Sequence, residues 1–345
     1  MNRGGDYKHS VKGNTEFIVG KLTFGKLIFL SIVTLALSSF GPLSLFAPIP
    51  MAISFLLYGV KYTGSLSALI MVAMVTASKL IPGADFLLSQ ASVYFVASVF
   101  GFFASRVIVK RQEPVKGLIQ WSSALLLLIA GGVIVLSIAS EFTLVNQIET
   151  FVTKSFEEAL QRPEVKERLD AGGQEARALS SILNDPQMVV KTLLEWSFTA
   201  MFVGVFFSMW LTLYLVLRNV VIWKETHNYP YTLKDFVSFK APDFMIYGLL
   251  AGMVMIVAGE YIHPLAEVIG FNITYSLGVF YFFQGFGVFM ASLDWLGFRG
   301  FLRTALTVFT IFLGYKMIAL VGVLDLFFDF ETKLKKKSRS EGDIL

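Results

Sequence analysis

Long apolar runs alternate with short polar segments along most of the chain. A transmembrane helix needs about 20 mostly apolar residues to cross roughly 30 Å of hydrocarbon. The pattern therefore predicts an all-α, polytopic transmembrane helical bundle of about eight or nine membrane segments. The apolar runs lie at about 27–41, 49–61, 65–81, 92–109, 117–140, 196–217, 243–262, 274–293 and 304–328.

The stretch between the first two runs is interrupted by helix-breaking residues, namely Gly41, Pro42, Pro48 and Pro50. Proline removes a backbone donor, and non-helical backbone at membrane depth is tolerated only where protein or a water-filled cavity surrounds it. We therefore expect this stretch to line a cavity rather than to face lipid.

The composition excludes a soluble domain and most classes of enzyme. Hydrophobic residues make up 55% of the chain and charged residues only 16%, with a mean hydropathy of +0.67. Without cysteine there can be no disulfide, thiolate metal site or thiol nucleophile. The chain also has no phosphate-binding loop, dinucleotide glycine fingerprint, His-Glu-x-x-His or Gly-x-Ser-x-Gly motif. We expect no enzyme, no metal and no cofactor.

The positions of lysine and arginine predict the orientation, because basic loops resist translocation. Basic residues concentrate in 1–26, 103–116 and 218–240, which we expect to be cytoplasmic. They are absent from 41–50, 82–91 and 263–274, which we expect to be external. The placement of the basic residues therefore indicates a multi-pass protein of a bacterial inner membrane, although a net charge of +4 could by itself also suit a nucleic-acid binder.

The last apolar run conflicts with this alternation. A single crossing by 304–328 would place the basic tail, 331–345, outside the cell. We favour a hairpin or re-entrant pair of helices broken near Gly314, Tyr315 and Lys316, which returns the tail to the cytoplasm. The alternative is a ninth span with an external tail.

One sizeable polar segment, 141–195, separates the two groups of apolar runs. It is external by the topology, and its apolar residues recur near helical spacing. Asp185 before Pro186 is typical of a helix N-cap with proline at the first position. The predicted organisation is a cytoplasmic tail, a first bundle, an external helical hairpin, a second bundle and a basic cytoplasmic tail. Their respective ranges are 1–26, 27–140, 141–195, 196–330 and 331–345.

Polar residues inside the apolar runs are candidates for function, because such groups are costly in lipid. The substrate-binding candidates are Gln284, Asn272, Lys316 and Asp325. The residues expected at a structural ion pair or a helix end are Asp329, Lys333 and Glu260. In this interpretation Asp329 pairs with Lys333 one turn on, and Glu260 extends toward the headgroups.

Four short motifs in the C-terminal half carry a resemblance to a known family. They are Tyr231-x4-Phe236-x2-Phe239-Lys240-x-Pro242, Asn272 before the next span, Gln284-Gly285-Phe286, and Gly322-x2-Asp325-x2-Phe328-Asp329-Phe330. Together they resemble the YybS-like family of bacterial predicted membrane proteins. Such proteins are similar in outline to the substrate-binding subunits of energy-coupling-factor vitamin transporters. This likeness implies uptake of a small molecule together with a separate ATPase and coupling subunit.

Two functions remain open from the sequence. The first is a small-molecule-binding or transport-related subunit, with the lipid bilayer, other membrane subunits and a small-molecule ligand as partners. The second is a structural or assembly partner in a cell-envelope complex, docking through 141–195. Neither involves nucleic acid.

Overall fold

The computed structural model describes residues 20–139 and 144–342, and every regular element in these ranges is helical, as predicted. A 3-10 helix spans Gly41–Phe46. The α-helices are α1 Phe24–Ser39, α2 Pro48–Leu80, α3 Phe86–Val109, α4 Pro114–Ala139, α5 Leu144–Gln161, α6 Pro163–Asp170, α7 Gly173–Asn184, α8 Pro186–Leu217, α9 Val220–His227, α10 Leu233–Val237, α11 Met245–Ile262, α12 Pro264–Trp295, α13 Gly300–Phe312, α14 Tyr315–Phe328 and α15 Phe330–Gly342.

Fewer helices reach membrane-spanning length than the eight or nine predicted. Within the described residues, five helical stretches are long and apolar enough, or six if α13 and α14 form one bent span. Two predicted spans correspond to helices that are apolar but short, Phe24–Ser39 and Met245–Gly259. Two more, 49–61 and 65–81, correspond to the two parts of α2, which is interrupted at Gly59. The apolar runs were located correctly, but their lengths do not all suffice for a straight crossing.

The break predicted in the last run is present. Helix α13 ends at Phe312 and α14 begins at Tyr315, and the two axes differ by 91°. Gly314 lies between them, in close contact with Thr310. A bend this large means that 304–328 does not cross a membrane as one straight helix.

Helix α2 also changes direction, at Gly59. That residue has φ 77° and ψ 173°, outside the helical region and accessible mainly to glycine. Beyond it, the Thr63 hydroxyl donates to the Ser54 carbonyl oxygen at 3.0 Å, and the Ser67 hydroxyl contacts the Met51 sulfur at 3.6 Å. Residues sixteen apart in a straight helix would be separated by about 24 Å. The chain therefore folds back on itself here, as an antiparallel pair of helices.

The first half of α2 is surrounded by protein. Pro48, Pro50 and Met51 are buried, and α3 approaches so closely that a Cβ on Gly101 would lie 2.8 Å from the Ala52 nitrogen. The carbonyl oxygen of Leu56, near the reversal, lies 3.0 Å from Nε2 of His227. Upstream, Gly41 and Pro42 are exposed. The proline-rich part of the interrupted stretch thus packs inside the protein, whereas its beginning does not.

The helices group into two compact units, each assembled from separate parts of the chain. Among the described residues, one unit comprises 20–123, 205–243 and 279–342, and the other comprises 124–139, 144–204 and 244–278. The first unit has an aromatic core around Trp210, whose ring stacks on Phe283 at 5.3 Å and meets Phe286 edge-on at 4.8 Å. In the second unit, α11 and α12 touch through glycines, since a Cβ on Gly270 would lie 2.6 Å from the Gly252 carbonyl oxygen.

The polar segment folds as three helices, α5 to α7, followed by the beginning of α8. Its Gly172-Gly173 turn has positive φ at both residues. The Asp185 carboxylate accepts the Met188 N–H at 3.0 Å, which confirms the predicted helix start at Pro186. A side-chain hydrogen bond of 2.7 Å from Gln187 to Glu149 ties α8 to α5.

The reversal at Gly59 can be tested directly, because the chain has no native cysteine. We expect a short bis-maleimide to crosslink Met51→Cys to Ser67→Cys within one chain. The matched control is Ser89→Cys with Ser105→Cys, a pair also sixteen residues apart but within the uninterrupted helix α3. Peptide mass spectrometry should find the crosslink in the first pair only. Equal crosslinking of both pairs, or of neither when a monofunctional maleimide labels both cysteines of the first pair, would contradict the reversal.

Candidate functional site

Gln284, a predicted candidate in α12, is bonded by the protein at both ends of its amide. Its Oε1 accepts the Ala241 N–H at 3.0 Å, and its Nε2 donates to Oδ2 of Asp325 at 2.9 Å. The other oxygen of Asp325 accepts the Glu331 N–H at 3.1 Å. We call Gln284, Asp325 and Glu331, with the Ala241 N–H, the C-terminal polar cluster. The three side chains are only 1%, 2% and 3% exposed, so the cluster is excluded from water and lipid.

Backbone contact between α12 and α14 brings the cluster together. A Cβ on Gly285 would overlap the Ile318 carbonyl oxygen, and one on Gly322 would overlap the Tyr281 carbonyl oxygen. Only glycine permits two helices to lie this close. Gly285 follows Gln284, and Gly322 precedes Asp325 by one turn, so the contact sets the spacing between these two side chains. Packing is too tight beside Gln284 to admit a ligand between these helices.

Two ion pairs lie next to the C-terminal polar cluster. Lys240 donates to the Asp329 carboxylate at 2.8 Å, and the Thr332 hydroxyl donates to the same carboxylate at 2.9 Å. These hydrogen bonds hold the pKa of the Asp329 carboxyl below its usual value, and the carboxylate in turn raises the pKa of Lys240. Lys335 bonds to Glu331 and, at 2.7 Å, to the Ser238 hydroxyl. The loop after α10 is thereby fastened to the start of α15.

The predicted structural residues lie differently from expectation. The carboxylate of Asp329 pairs with Lys240 instead of Lys333, because the loop after α10 places an ammonium directly beside it. Lys333 is exposed and influences that carboxylate through its charge alone. Glu260 belongs to the last turn of α11, and its side chain lies outside the described part of the structure.

Lys316 is not part of the C-terminal polar cluster. It is exposed near the start of α14, with its ammonium 5.9 Å from the centre of the Tyr315 ring. The bend between α13 and α14 places this residue at the helix beginning, whereas a straight span would have kept it mid-helix. The structure thus brings Gln284 and Asp325 together and leaves Lys316 apart from them.

Asn272, the remaining candidate, lies in the second unit and joins α12 to α8. Its oxygen accepts the backbone N–H of Thr199 at 3.1 Å and the Thr199 hydroxyl at 2.7 Å. Its nitrogen donates to the carbonyl oxygens of Glu195 and Val268, both at 2.8 Å. Glu195 and Thr199 are an i, i+4 pair of α8, whose carbonyl and N–H ordinarily bond each other. The Asn272 amide therefore bonds to both the carbonyl oxygen and the N–H that would ordinarily form one backbone hydrogen bond of α8.

A pocket of about 370 Å³ lies beside Asn272. Polar groups and aromatic rings line it together. The lining residues are Lys191, Thr192, Glu195, Trp196, Pro264, Glu267, Val268, Phe271 and Asn272. The Trp196 ring lies 5.4 Å from Phe271 and 5.2 Å from Tyr275.

The charges of the pocket are unbalanced. Two carboxylates, Glu195 and Glu267, face one ammonium, Lys191, whose nitrogen lies 3.9 Å from the Glu195 carboxylate. The Lys191 side chain is 78% exposed, so solvent weakens that pair. The charged residues of the lining, two glutamates and one lysine, therefore carry a net negative charge.

Sequence reasoning missed several residues of both sites. Glu331 was assigned to a basic tail, although the spacing of Glu331 and Lys335 indicates a helical salt bridge. No sequence pattern identifies Trp196 and Glu267 as residues of one pocket, because they come from two helices far apart in sequence. Among residues 20–139 and 144–342, no group of three or more histidine or acidic side chains is placed to hold a metal ion.

The family assignment follows from comparison with known proteins. A sequence model of the family described as Predicted membrane protein (DUF2232) matches residues 27–326, which is most of the chain. The protein belongs to this family. No curated protein matches the chain, and neither does any solved structure. The matched region contains Asn272, Gln284 and Asp325 and ends before Asp329 and Glu331.

The C-terminal polar cluster predicts unequal effects for two neighbouring aspartates. Asp325→Ala leaves the Gln284 Nε2 and the Glu331 N–H buried without their acceptor, and each such group costs about 1–3 kcal/mol. Asp329→Ala removes an exposed ion pair, which contributes about 0–1 kcal/mol, and puts alanine at a φ of 47°, which costs about 1 kcal/mol. We therefore expect a large drop in the thermal unfolding midpoint in detergent for Asp325→Ala and a small one for Asp329→Ala. Equal drops would contradict the difference expected between the buried and the exposed aspartate.

Proposed function

We propose that the protein is a non-catalytic, small-molecule-binding subunit of a transport system in the bacterial inner membrane. The observation that carries this proposal is the pocket beside Asn272, which combines aromatic surface with charged groups. The likeness to substrate-binding subunits of energy-coupling-factor transporters, implied by the YybS-like motifs, supports the same role. So does the topology proposed from the basic loops, with both termini in the cytoplasm and 141–195 and 263–274 external, because the pocket residues then lie toward the external side.

The proposed binding site is the Asn272 pocket rather than the surroundings of Gln284 and Lys316. Gln284 uses its amide oxygen and nitrogen on Ala241 and Asp325, whereas the pocket has open volume. Asn272 itself is occupied by Thr199, Glu195 and Val268, so it shapes the wall and holds α8 against α12. Contact with the ligand falls to the rings of Trp196 and Phe271 and to the carboxylates.

The unbalanced charge points to a small organic amine or quaternary ammonium compound as the ligand class. A cation gains from the Glu195 and Glu267 carboxylates and from the faces of aromatic rings. A ligand that binds only the folded state stabilises it by about 2.7 kcal/mol at a hundred times its dissociation constant. Binding is therefore measurable as a rise in the unfolding temperature of the purified protein.

We expect a thermal-shift screen of small cations, anions and neutral compounds to select cations. Glu195→Gln combined with Glu267→Gln should abolish the shift, since both favourable charges are lost. Lys191→Gln should enlarge it, because the one opposing charge is removed. Glu158→Gln, an exposed position in α5, is the matched control and should leave the shift unchanged.

Two results would contradict this proposal. One is selection of anions by the wild-type protein. The other is an equal shift in the wild-type protein and in the double glutamine variant.

A further inference from the structure

Helix α15 presents two chemically different faces. At 100° per residue, Lys333 and Lys336 lie about 60° apart, and the backbone register places position 337 on the same side. Both Lys333 and Lys336 are exposed. Glu331 and Lys335 lie on the opposite side, about 160° from Lys333. The basic stripe is thus separated from the side that contacts the protein.

The inner side of α15 is anchored. Glu331 is 3% exposed and its N–H donates to Asp325, while Lys335 reaches the Ser238 hydroxyl at 2.7 Å. The charge of Lys335 is therefore used within the protein, and it fixes the first turns of the helix. Rotation of α15 about its axis would break these contacts, so the basic stripe keeps a defined direction.

The stripe lies close to the end of an apolar segment. Only Asp329 separates α14, part of the bent pair long enough to cross a membrane, from α15. Positions 333 to 337 follow that end by roughly 6–12 Å of helix. This is about one Debye length at physiological ionic strength, over which charges at a membrane surface act on a protein.

We propose that the outer side of α15 binds the phosphate headgroups of anionic phospholipids. The stripe carries the ammonium groups of Lys333 and Lys336, the anchored inner side holds the helix in place, and the nearby end of α14 puts these groups at headgroup depth. Each lysine near an anionic surface strengthens association about fivefold, so three together give about a hundredfold. The site is separate from the proposed solute pocket, and its partner is the membrane itself.

The test compares lipid binding by native mass spectrometry of the intact protein in detergent. Phosphatidylglycerol and phosphatidylcholine are titrated against the wild-type protein and against a variant with Lys333→Gln, Lys336→Gln and Lys337→Gln. The control variant carries Lys154→Gln, Lys166→Gln and Arg162→Gln, which changes the net charge equally at positions of the other unit. Thermal unfolding of all three proteins verifies that they are folded.

The wild-type and control proteins should prefer phosphatidylglycerol, and the stripe variant should lose about a hundredfold of that preference. Added salt should weaken the preference in proportion to the charges involved. Three results would overturn the proposal. These are retention of the preference by the stripe variant, no preference in the wild-type protein, and displacement of the lipid by low concentrations of inorganic phosphate. Capture of an acidic protein by the stripe, with both lipids bound equally, would also overturn it.

Discussion

Helices α12 and α14 touch backbone to backbone at Gly285 and Gly322, and the polar side chains beside this contact must bond to each other. Water does not reach the amide of Gln284 or the carboxylate of Asp325, and an unpaired polar group in such a place is costly. The pair is satisfied by one hydrogen bond between its members and by two backbone N–H groups from other segments. The short distance between the helices and the hydrogen bonds of Gln284 and Asp325 therefore depend on each other.

The same hydrogen bonds hold two neighbouring segments of the first compact unit in place. The loop containing Lys240 and Ala241 is held against α12, and the start of α15 is held against α14, so both are fixed to the helix ends. Both polar atoms of the Gln284 amide are already bonded to the protein.

Much of the fold follows from local sequence patterns, and the pairings do not. The helical class, the cap at Asp185 and the break near Gly314 each depend on a few consecutive residues. The number of spans depends on the lengths of the helices and on the reversal at Gly59. The chain changes direction there because the backbone of this one residue is not helical. Residues far apart in sequence pair at the sites: Asp329 lies 89 residues from Lys240, and Asn272 lies 73 from Thr199. Patterns in a single sequence contain no information on which of these distant residues pair in the folded protein.

Gln284 and Asp325 stabilise the protein jointly, through the hydrogen bond between their side chains at the contact of two closely packed helices. A double-mutant cycle in detergent, from Gln284→Ala and Asp325→Ala singly and together, measures their coupling. We expect a coupling energy of about 1 kcal/mol or more, against less than about 0.5 kcal/mol for the control cycle of Gln284→Ala with Asp329→Ala. Additive unfolding free energies in the Gln284 and Asp325 cycle would contradict it.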